Sequence, residues 1–335
     1  MRPIETTSIA ATDSLPSLQV NYVKGIPGEL LAMPATLAVI GFGETHQDPQ
    51  DPRFVRVGLE PIESGWFEVW RCAEPVTCGR QDALRWSSDG HYLFFAVEID
   101  ESEAGDIDAA AEQAYAAICR LIAGHRFADG ALGHILRLWN YLDAINEGEG
   151  DNERYRHFCS GRAHGLNPSA RNGYSAATAI GCRNGRRVLQ VYGLAARKEG
   201  VAVENPRQVS AWSYPRQYGP VAPTFARATR TPAGQLLVSG TASVVGHQSQ
   251  HAGDTLAQLD ETLRNLDSLL AAAGPRIASR GIDAILLKIY LREPAEAKAV
   301  EQHLRQRLPG QVGLLILLGD ICRSDLRIEI DGIQG

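Results

Sequence analysis

Short apolar runs rich in β-branched and aromatic residues alternate with turns over the first hundred residues. The runs occupy residues 35–42, 66–71 and 91–99, and glycine, proline and aspartate separate them. Runs of this length, bounded by turn residues, predict β-strands. The first thirty or so residues show no such period, so we expect them to form an irregular arm.

The period of the pattern changes after residue 100. Between residues 106 and 125 the apolar side chains recur at spacings of three and four, which predicts a helix with one buried face. We predict a second helix over residues 131–146. The acidic, glycine-rich segment 147–153 is typical of a linker. We therefore divide the chain into a domain of residues 1–150 and a domain of residues 151–335.

The second half repeats the order of strands followed by helices. The predicted strands cover 175–182, 187–193, 235–243, 282–291, 312–318 and 326–330, with one helix that begins after Asp254 and another over 294–308. Residues 205–229 form a long segment rich in proline, tyrosine and arginine, and its aromatic residues favour a functional loop. Strands then helices, twice, predict an α+β fold of two similar units with helices packed on one face of mixed sheets.

The composition fits a folded protein with a substantial core. The 335 residues are 44% hydrophobic and 21% charged, close to globular averages, which argues against wholesale disorder. With 33 basic and 39 acidic residues the net charge is −6, so neither nucleic acid nor a membrane surface is an expected partner. The N-terminus lacks the apolar core of a signal peptide, and the longest apolar run, 314–318, is too short to cross a membrane; we expect a cytoplasmic protein.

Neither the cysteines nor the histidines form a convincing metal pattern. The six cysteines include no Cys-x-x-Cys pair. His247 and His251 are four residues apart, but glycines flank the pair and no third ligand is evident. The sequence Gly41-Phe42-Gly43 lacks the third glycine of a dinucleotide fingerprint. We expect no metal and no organic cofactor.

Two segments, residues 154–166 and 212–227, combine arginines with tyrosines and glycines. Guanidinium groups bind carboxylates through paired hydrogen bonds, and tyrosine adds a hydroxyl beside an apolar ring. Single arginines are most often solvated, so the prediction depends on their number in these two segments. Together the segments suit a small organic acid of aromatic size.

The C-terminal segment 319–332 carries an acidic candidate, Glu329. Alternation places its side chain opposite the apolar residues of a predicted strand, where the common alternative is a solvated surface residue. Cys322 precedes Glu329 by seven residues, so strict alternation would place the two on opposite faces. The turn between them weakens that inference.

Longer motifs carry a resemblance to a known family. Residues 238–274 followed by DICRSDLRIEIDG (320–332) are similar to the RidA/YjgF family, whose chorismate-mutase-like fold packs a sheet against two helices. Together with SGRAHGL (160–166) and WSYPRQYGP (212–220), nearly the whole chain resembles the chorismatases. Within them it resembles the branch that forms 3- and 4-hydroxybenzoate for xanthomonadin and ubiquinone biosynthesis. The resemblance implies two RidA/YjgF-like units, with the C-terminal unit catalytic.

One departure from the RidA pattern bears on the reaction. RidA enzymes hydrolyse imines and hold the substrate carboxylate with an arginine that begins the penultimate strand. In this sequence Leu314 stands at about that place. The resemblance therefore does not extend to the deaminase reaction, although the glutamate of the RidA pattern is kept as Glu329.

The chorismatase resemblance implies chorismate as the substrate and pyruvate as one product. It implies that Glu329 is the acid that protonates the terminal methylene carbon of the enolpyruvyl ether; burial and nearby carboxylates would hold such an acid neutral. The family's binding positions correspond to Tyr155, Arg162, Tyr214 and Arg227, for the two carboxylates and the ring hydroxyl.

Two further positions bear on the product. Hydroxybenzoate-forming members resemble this chain in Cys322 and Gly240, and our hypothesis is that both shape a dry pocket in which the ring hydroxyl, and not water, intercepts the intermediate. A diol-forming hydrolase of the same family and a non-catalytic RidA-like binding protein are the alternatives. We expect a monomer, because two RidA-like units in one chain could satisfy the contacts that RidA trimers make between subunits.

Overall fold

The computed structural model describes residues 15–43, 48–127, 129–166, 174–308 and 312–335. The strands in these ranges are β1 (Gln19–Lys24), β2 (Thr36–Phe42), β3 (Phe54–Val57), β4 (Trp66–Arg71), β5 (Thr77–Gln81), β6 (Leu84–Ser88), β7 (Tyr92–Asp100), β8 (His134–Asp143), β9 (Ala176–Cys182), β10 (Val188–Ala196), β11 (Val201–Val203), β12 (Ala228–Arg230), β13 (Leu236–Ala242), β14 (Val244–Val245), β15 (Gln248–Ser249), β16 (Ile285–Leu291), β17 (Leu314–Leu318), β18 (Asp320–Ile321) and β19 (Ile328–Gln334). The helices are α1 (Pro27–Leu31), α2 (Glu101–Ala104), α3 (Ile107–Gly124), α4 (Arg154–Gly165), α5 (Thr255–Ala272), α6 (Pro275–Ala278) and α7 (Ala297–Arg307). None of these helices is long and apolar enough to span a lipid bilayer.

Three larger sheets and one hairpin organise the strands. A seven-stranded sheet has the order β18-β9-β8-β10-β7-β6-β5, and a six-stranded sheet has the order β11-β12-β13-β19-β16-β17. A four-stranded sheet, β1-β4-β2-β3, and the hairpin β14-β15 complete them. The sheets are mixed, because β2 with β3, β8 with β9 and β16 with β17 pair in parallel.

Helices cover one face of each large sheet. The apolar faces of α5 and α7 pack on the six-stranded sheet, and α3 packs on the seven-stranded sheet. The remaining faces of these sheets enclose a third core with the four-stranded sheet, in which Trp70, Trp139 and Tyr290 are fully buried. The predicted α+β class, with helices on one face of the sheets, is confirmed.

The helix predicted over residues 131–146 is wrong, because this segment forms the strand β8. Arg137, Trp139 and Tyr141 point between the two large sheets, whereas Leu138 and Leu142 face the core under α3. A strand that is buried on both faces carries a nearly continuous apolar run, and such a run does not reveal its period of two.

Strand pairing can also be compared with the predicted irregular N-terminal arm and with the predicted domain boundary at residue 150. The irregular arm is wrong for residues 19–31, where β1 pairs with β4 and is followed by α1; residues 1–14 lie outside the described ranges. The seven-stranded sheet takes strands from both sides of residue 150, so the pairing does not divide the chain there. Two units remain our proposal; the chain leaves the seven-stranded sheet after β10 and returns to it with β18.

Two glycines let α4 lie directly on α3. A Cβ atom at Gly161 would overlap the carbonyl oxygen of Asp108, and one at Gly165 would lie 2.5 Å from the carbonyl oxygen of Glu112. Only glycine permits so close an approach of two helix backbones. The contact fixes the orientation of α4 and therefore the direction of the side chains on its other faces.

Candidate active site

A cavity of about 810 Å³ lies where the seven-stranded and six-stranded sheets meet. Its walls come from α4, β9, the loop of residues 205–227, β13, the β14-β15 hairpin, the turn between β18 and β19, and β19 itself. The structure brings all seven predicted site residues to this cavity: Tyr155, Arg162, Tyr214, Arg227, Gly240, Cys322 and Glu329. The volume is within the range of roughly 300–1,000 Å³ that is usual for small-molecule sites.

Helix α4 contributes Tyr155 and Arg162, which are seven residues, or two helical turns, apart and therefore share a face. The Tyr155 ring stacks on Phe158 with its centroid 6.2 Å away, and burial raises the pKa of Tyr155 well above its ordinary value. Nη2 of Arg162 donates a hydrogen bond of 2.9 Å to the carbonyl oxygen of Thr224. This bond connects α4 to the loop on the opposite wall.

The loop of residues 205–227 positions Arg227 and Tyr214. Nη2 of Arg227 donates to the carbonyl oxygen of Val209 at 2.8 Å and to the Tyr214 hydroxyl oxygen at 2.7 Å. The guanidinium also lies over the Phe225 ring, 5.2 Å from its centroid. The loop thus orients the cation.

The Arg162 and Arg227 guanidiniums are buried and unpaired. Their exposed fractions are 4% and 5%, and within the described ranges neither forms an ion pair. The Nε atom of each has no hydrogen-bond partner among the described protein atoms. Because buried charges are normally paired, two such cations on one cavity favour an anionic ligand.

A third guanidinium, Arg323, comes from the turn after β18 and was not found by the sequence analysis. It lies 4.1 Å from the centroid of the Tyr218 ring, and its Nη1 donates to the carbonyl oxygen of His247 at 2.8 Å. Its place next to Cys322 in the C-terminal motif was the available signal. Side chains in a turn do not alternate with a fixed period, so the direction of the Arg323 side chain could not be predicted from the sequence.

Glu329 lies on β19 and is only 5% exposed. The seven-stranded sheet covers this face of the strand, so the alternative of a solvated surface residue is wrong. Burial, reinforced by the negative charge of Asp331, raises the pKa of Glu329 to about 8, although Arg137, Arg227 and Arg323 act in the opposite direction. Near neutral pH the carboxyl group therefore carries a proton that it can donate.

Gly240 makes room for the Glu329 carboxyl group. The pairing of β13 with β19 slips between Val238 and Thr241, so Ser239 and Gly240 form a bulge. A Cβ atom at position 240 would overlap Oε1 of Glu329. Any larger residue at this position has to push the carboxyl group elsewhere.

Cys322 lines the same cavity as Glu329, so the opposite faces expected from strict alternation are wrong. Strand β18 ends at Ile321 and a turn leads to β19, which interrupts the alternation. Burial, together with the charge on Glu329, raises the pKa of the Cys322 thiol far above its ordinary value. The thiol is therefore a small, uncharged neighbour of Glu329 at neutral pH.

The Glu329→Gln variant is expected to gain stability over the wild type as pH rises. Between the ordinary pKa of 4.5 and the folded-state pKa of about 8, the unfolded wild type releases a proton that the folded state retains, so wild-type stability falls through this window. The difference in unfolding free energy should grow by up to about 1.4 kcal/mol per pH unit and level off above the window. Urea unfolding across this range measures it; a difference that is constant with pH would contradict the raised pKa.

Comparison with known proteins identifies the family. Residues 68–195 match the family described as chorismatase FkbO/Hyg5-like, N-terminal. A 3-hydroxybenzoate synthase from Streptomyces hygroscopicus is 35% identical over 82% of this chain and 83% of its own length, and a chorismatase from Streptomyces rapamycinicus is 34% identical over 81% and 83%. The crystal structure of a chorismatase has a TM-score of 0.81 at 29% identity and covers 96% of this chain and 99% of its own. The chain belongs to the chorismatase family.

Proposed function

We propose that the protein cleaves chorismate to pyruvate with formation of 3-hydroxybenzoate and 4-hydroxybenzoate, as a lyase. The observation that carries the proposal is the meeting, in one cavity, of buried unpaired guanidiniums with a carboxyl group whose pKa burial raises to about 8. Chorismate is a dianion with an enolpyruvyl ether. Its carboxylates call for fixed cations, and cleavage of its ether calls for an acid.

The substrate is held between the two walls of the cavity. Arg162 and Tyr155 on α4, together with Arg227 and Tyr214 on the opposite loop, bind the two carboxylates and the ring hydroxyl. Arginine and tyrosine donors held by the surrounding backbone lose little freedom on binding, so they orient the ligand with little entropic cost. This placement brings the enolpyruvyl methylene carbon to Glu329.

Glu329 donates its proton to that methylene carbon, and the positive charge that results lies on the ether carbon and oxygen. The bond between the ring carbon and the ether oxygen breaks, and pyruvate leaves. The oxygen of the neighbouring ring hydroxyl bonds to the electron-deficient carbon, and the three-membered ring so formed opens at either of its carbon–oxygen bonds. The oxygen keeps its hydrogen, one proton is lost from a ring carbon, and the aromatic product is 3-hydroxybenzoate or 4-hydroxybenzoate. The proton that enters at the methylene and the proton that leaves the ring balance, and no net water is consumed. Exclusion of water is therefore the physical requirement for an aromatic product.

Cys322 and Gly240 meet this requirement in our proposal. Gly240 lets the Glu329 carboxyl group lie close over β13, and the uncharged Cys322 thiol occupies space beside it. A thiol is a weak hydrogen-bond donor and acceptor, so it holds a water molecule poorly. The ring's own hydroxyl is then the group nearest to the reactive intermediate.

The Cys322→Ala variant is expected to divert part of the product to a dihydroxycyclohexadiene carboxylate. Removal of the sulfur leaves space that a water molecule bound to nearby polar groups can fill. Chromatography of the products measures the diversion, with Cys78→Ala, an exposed thiol on β5 outside the cavity, as the matched control. An unchanged aromatic yield in Cys322→Ala would contradict the steering role.

Incubation with chorismate tests the proposal as a whole. We expect chromatography to show both hydroxybenzoates, and coupling to lactate dehydrogenase to show an equal amount of pyruvate. A diol product with pyruvate would assign the hydrolase reaction instead. Stabilisation by chorismate without any pyruvate release would assign a binding protein and overturn the enzymatic proposal.

A further inference from the structure

Asp331 lies two residues after Glu329 on β19, on the same face of the strand. Its Oδ2 atom accepts four hydrogen bonds: from Arg137 Nη2 at 3.1 Å, Trp139 Nε1 at 2.9 Å, Thr178 Oγ1 at 3.0 Å and Tyr290 OH at 2.9 Å. The residue is 2% exposed and does not line the cavity. It therefore does not contact a ligand there.

The four donors fix this carboxylate from three strands of two different sheets. Arg137 and Trp139 belong to β8, Thr178 belongs to β9, and Tyr290 belongs to β16. Donors that converge on one oxygen, one of them a guanidinium, are the partners of an ionised carboxylate. The result is a negative charge that cannot move, placed next to Glu329.

After Asp331, the charges that act most strongly on Glu329 are three guanidiniums, and the carboxylates Glu153 and Asp325 also line the cavity. Arg137 comes from β8, Arg227 from the loop before β12, and Arg323 from the turn before β19; the Cys322 thiol in that turn is neutral. Each guanidinium favours the ionised form of the Glu329 carboxyl group. Asp331 is the strongest charge that opposes them.

The same network also determines where Glu329 can lie. Thr178 Oγ1, which donates to Asp331, accepts hydrogen bonds from the Gly240 backbone N–H at 2.9 Å and from Arg137 Nη2. Gly240 in turn lies against the Glu329 carboxyl group. The position of the Asp331 carboxylate and the position of the bulge are thus set by one set of hydrogen bonds.

We propose that Asp331 is a positioning residue whose fixed negative charge keeps the neighbouring Glu329 protonated among three guanidiniums and so ready to act on carbon. This inference depends on the proposed function of Glu329 as the acid. It assigns Asp331 no contact with substrate. Its effect is expressed through the pH at which Glu329 loses its proton.

The test is the pH profile of kcat for Asp331→Asn against the wild type, from about pH 5 to about pH 10. The active form of Glu329 is protonated, so wild-type activity should fall as pH rises through the Glu329 pKa. Asparagine keeps the size of the side chain and an acceptor but removes the charge, so the fall should move to lower pH. At high pH, where kcat of both enzymes has declined, kcat of the variant should be about tenfold below that of the wild type for each pH unit between the midpoints of the two declines. At the acid end it should approach the wild-type value.

A merely structural role predicts a different profile. Asp331→Asn would then lose the same factor at every pH, with the fall at an unchanged pH, and that result would overturn the inference. Asp143→Asn, a buried aspartate outside the cavity, is the matched control and should leave the profile in place.

A second variant covers the case in which Asp331→Asn does not fold because Arg137 is left as an unpaired buried charge. The double variant Arg137→Gln/Asp331→Asn removes both members of the ion pair. Compared with Arg137→Gln alone, the double variant differs only in the Asp331 charge, so kcat should fall at lower pH in the double variant, and a fall at the same pH in both would again overturn the inference. If Glu329→Gln retains turnover, the acid role itself fails; if it is inactive while the fall does not move, only the role of Asp331 fails.

Discussion

Replacement of Glu329 by glutamine is expected to leave chorismate binding nearly intact and to lower kcat by about 10²- to 10⁴-fold. Glutamine has the same shape and fills the space above Gly240, but its amide cannot donate a proton to carbon. The wild-type residue can, because burial and Asp331 raise the pKa of its carboxyl group to about 8. Pyruvate release measures kcat, and calorimetry measures chorismate binding.

The matched control for this variant is Glu98→Gln on β7, outside the cavity, which should retain wild-type kcat. A general acid usually contributes at least about 100-fold to the rate. Turnover by Glu329→Gln at more than about a tenth of the wild-type rate would therefore remove Glu329 from the acid role. Loss of binding together with kcat would show that the carboxyl group serves to hold the ligand instead.

The second large effect concerns the buried cations. We expect Arg162→Met and Arg227→Met each to raise KM for chorismate by about 10- to 100-fold, since a hydrogen bond to a charged group contributes about 1.5–3 kcal/mol. Methionine retains much of the apolar volume of the arginine side chain. Because both guanidiniums are buried and neither has a counter-ion among the residues that the structure describes, their removal should leave the melting temperature unchanged or raise it.

Steady-state kinetics and thermal unfolding of the same preparations separate these effects. Arg216→Met is the control, because Arg216 is exposed, is paired with Asp151 and lies outside the cavity; its KM should stay within about twofold of the wild type, as is usual for surface substitutions. An unchanged KM in both cavity variants would contradict the carboxylate site. A fall in melting temperature with unchanged KM would assign the two arginines to structure alone.

Elements with a clear period could be predicted from the sequence. Helix α3 and the strands β2, β4 and β7 lie within one or two residues of their predicted bounds, and Asp254 caps α5 by accepting a hydrogen bond from the Ala257 N–H. Segment β8 could not be predicted, because both of its faces are buried and its period is hidden. Because β8 was predicted as a helix, the direction of the Arg137 side chain, which depends on the strand, was not predicted either.

The arrangement of the site residues was harder to predict from the local sequence. Alternation gave the face on which Glu329 lies but not what covers that face, since the covering strands are far away in sequence. Asp331 points the same way as Glu329 because it lies two residues further along β19, but the strand predicted over 326–330 ended before it. The role of Gly240 was not, since the bulge that brings it against Glu329 depends on how β13 pairs with β19.

A single turnover in deuterium oxide tests whether the enzyme transfers a proton to the enolpyruvyl methylene carbon. Enzyme equilibrated in deuterium oxide is mixed with less than one equivalent of chorismate, and the pyruvate is reduced at once to lactate to prevent exchange. Proton transfer from Glu329 predicts one deuterium in the methyl group of each lactate. A methyl group without deuterium would mean that the hydrogen comes from a carbon atom of the substrate itself, and Glu329 would then not be the proton donor.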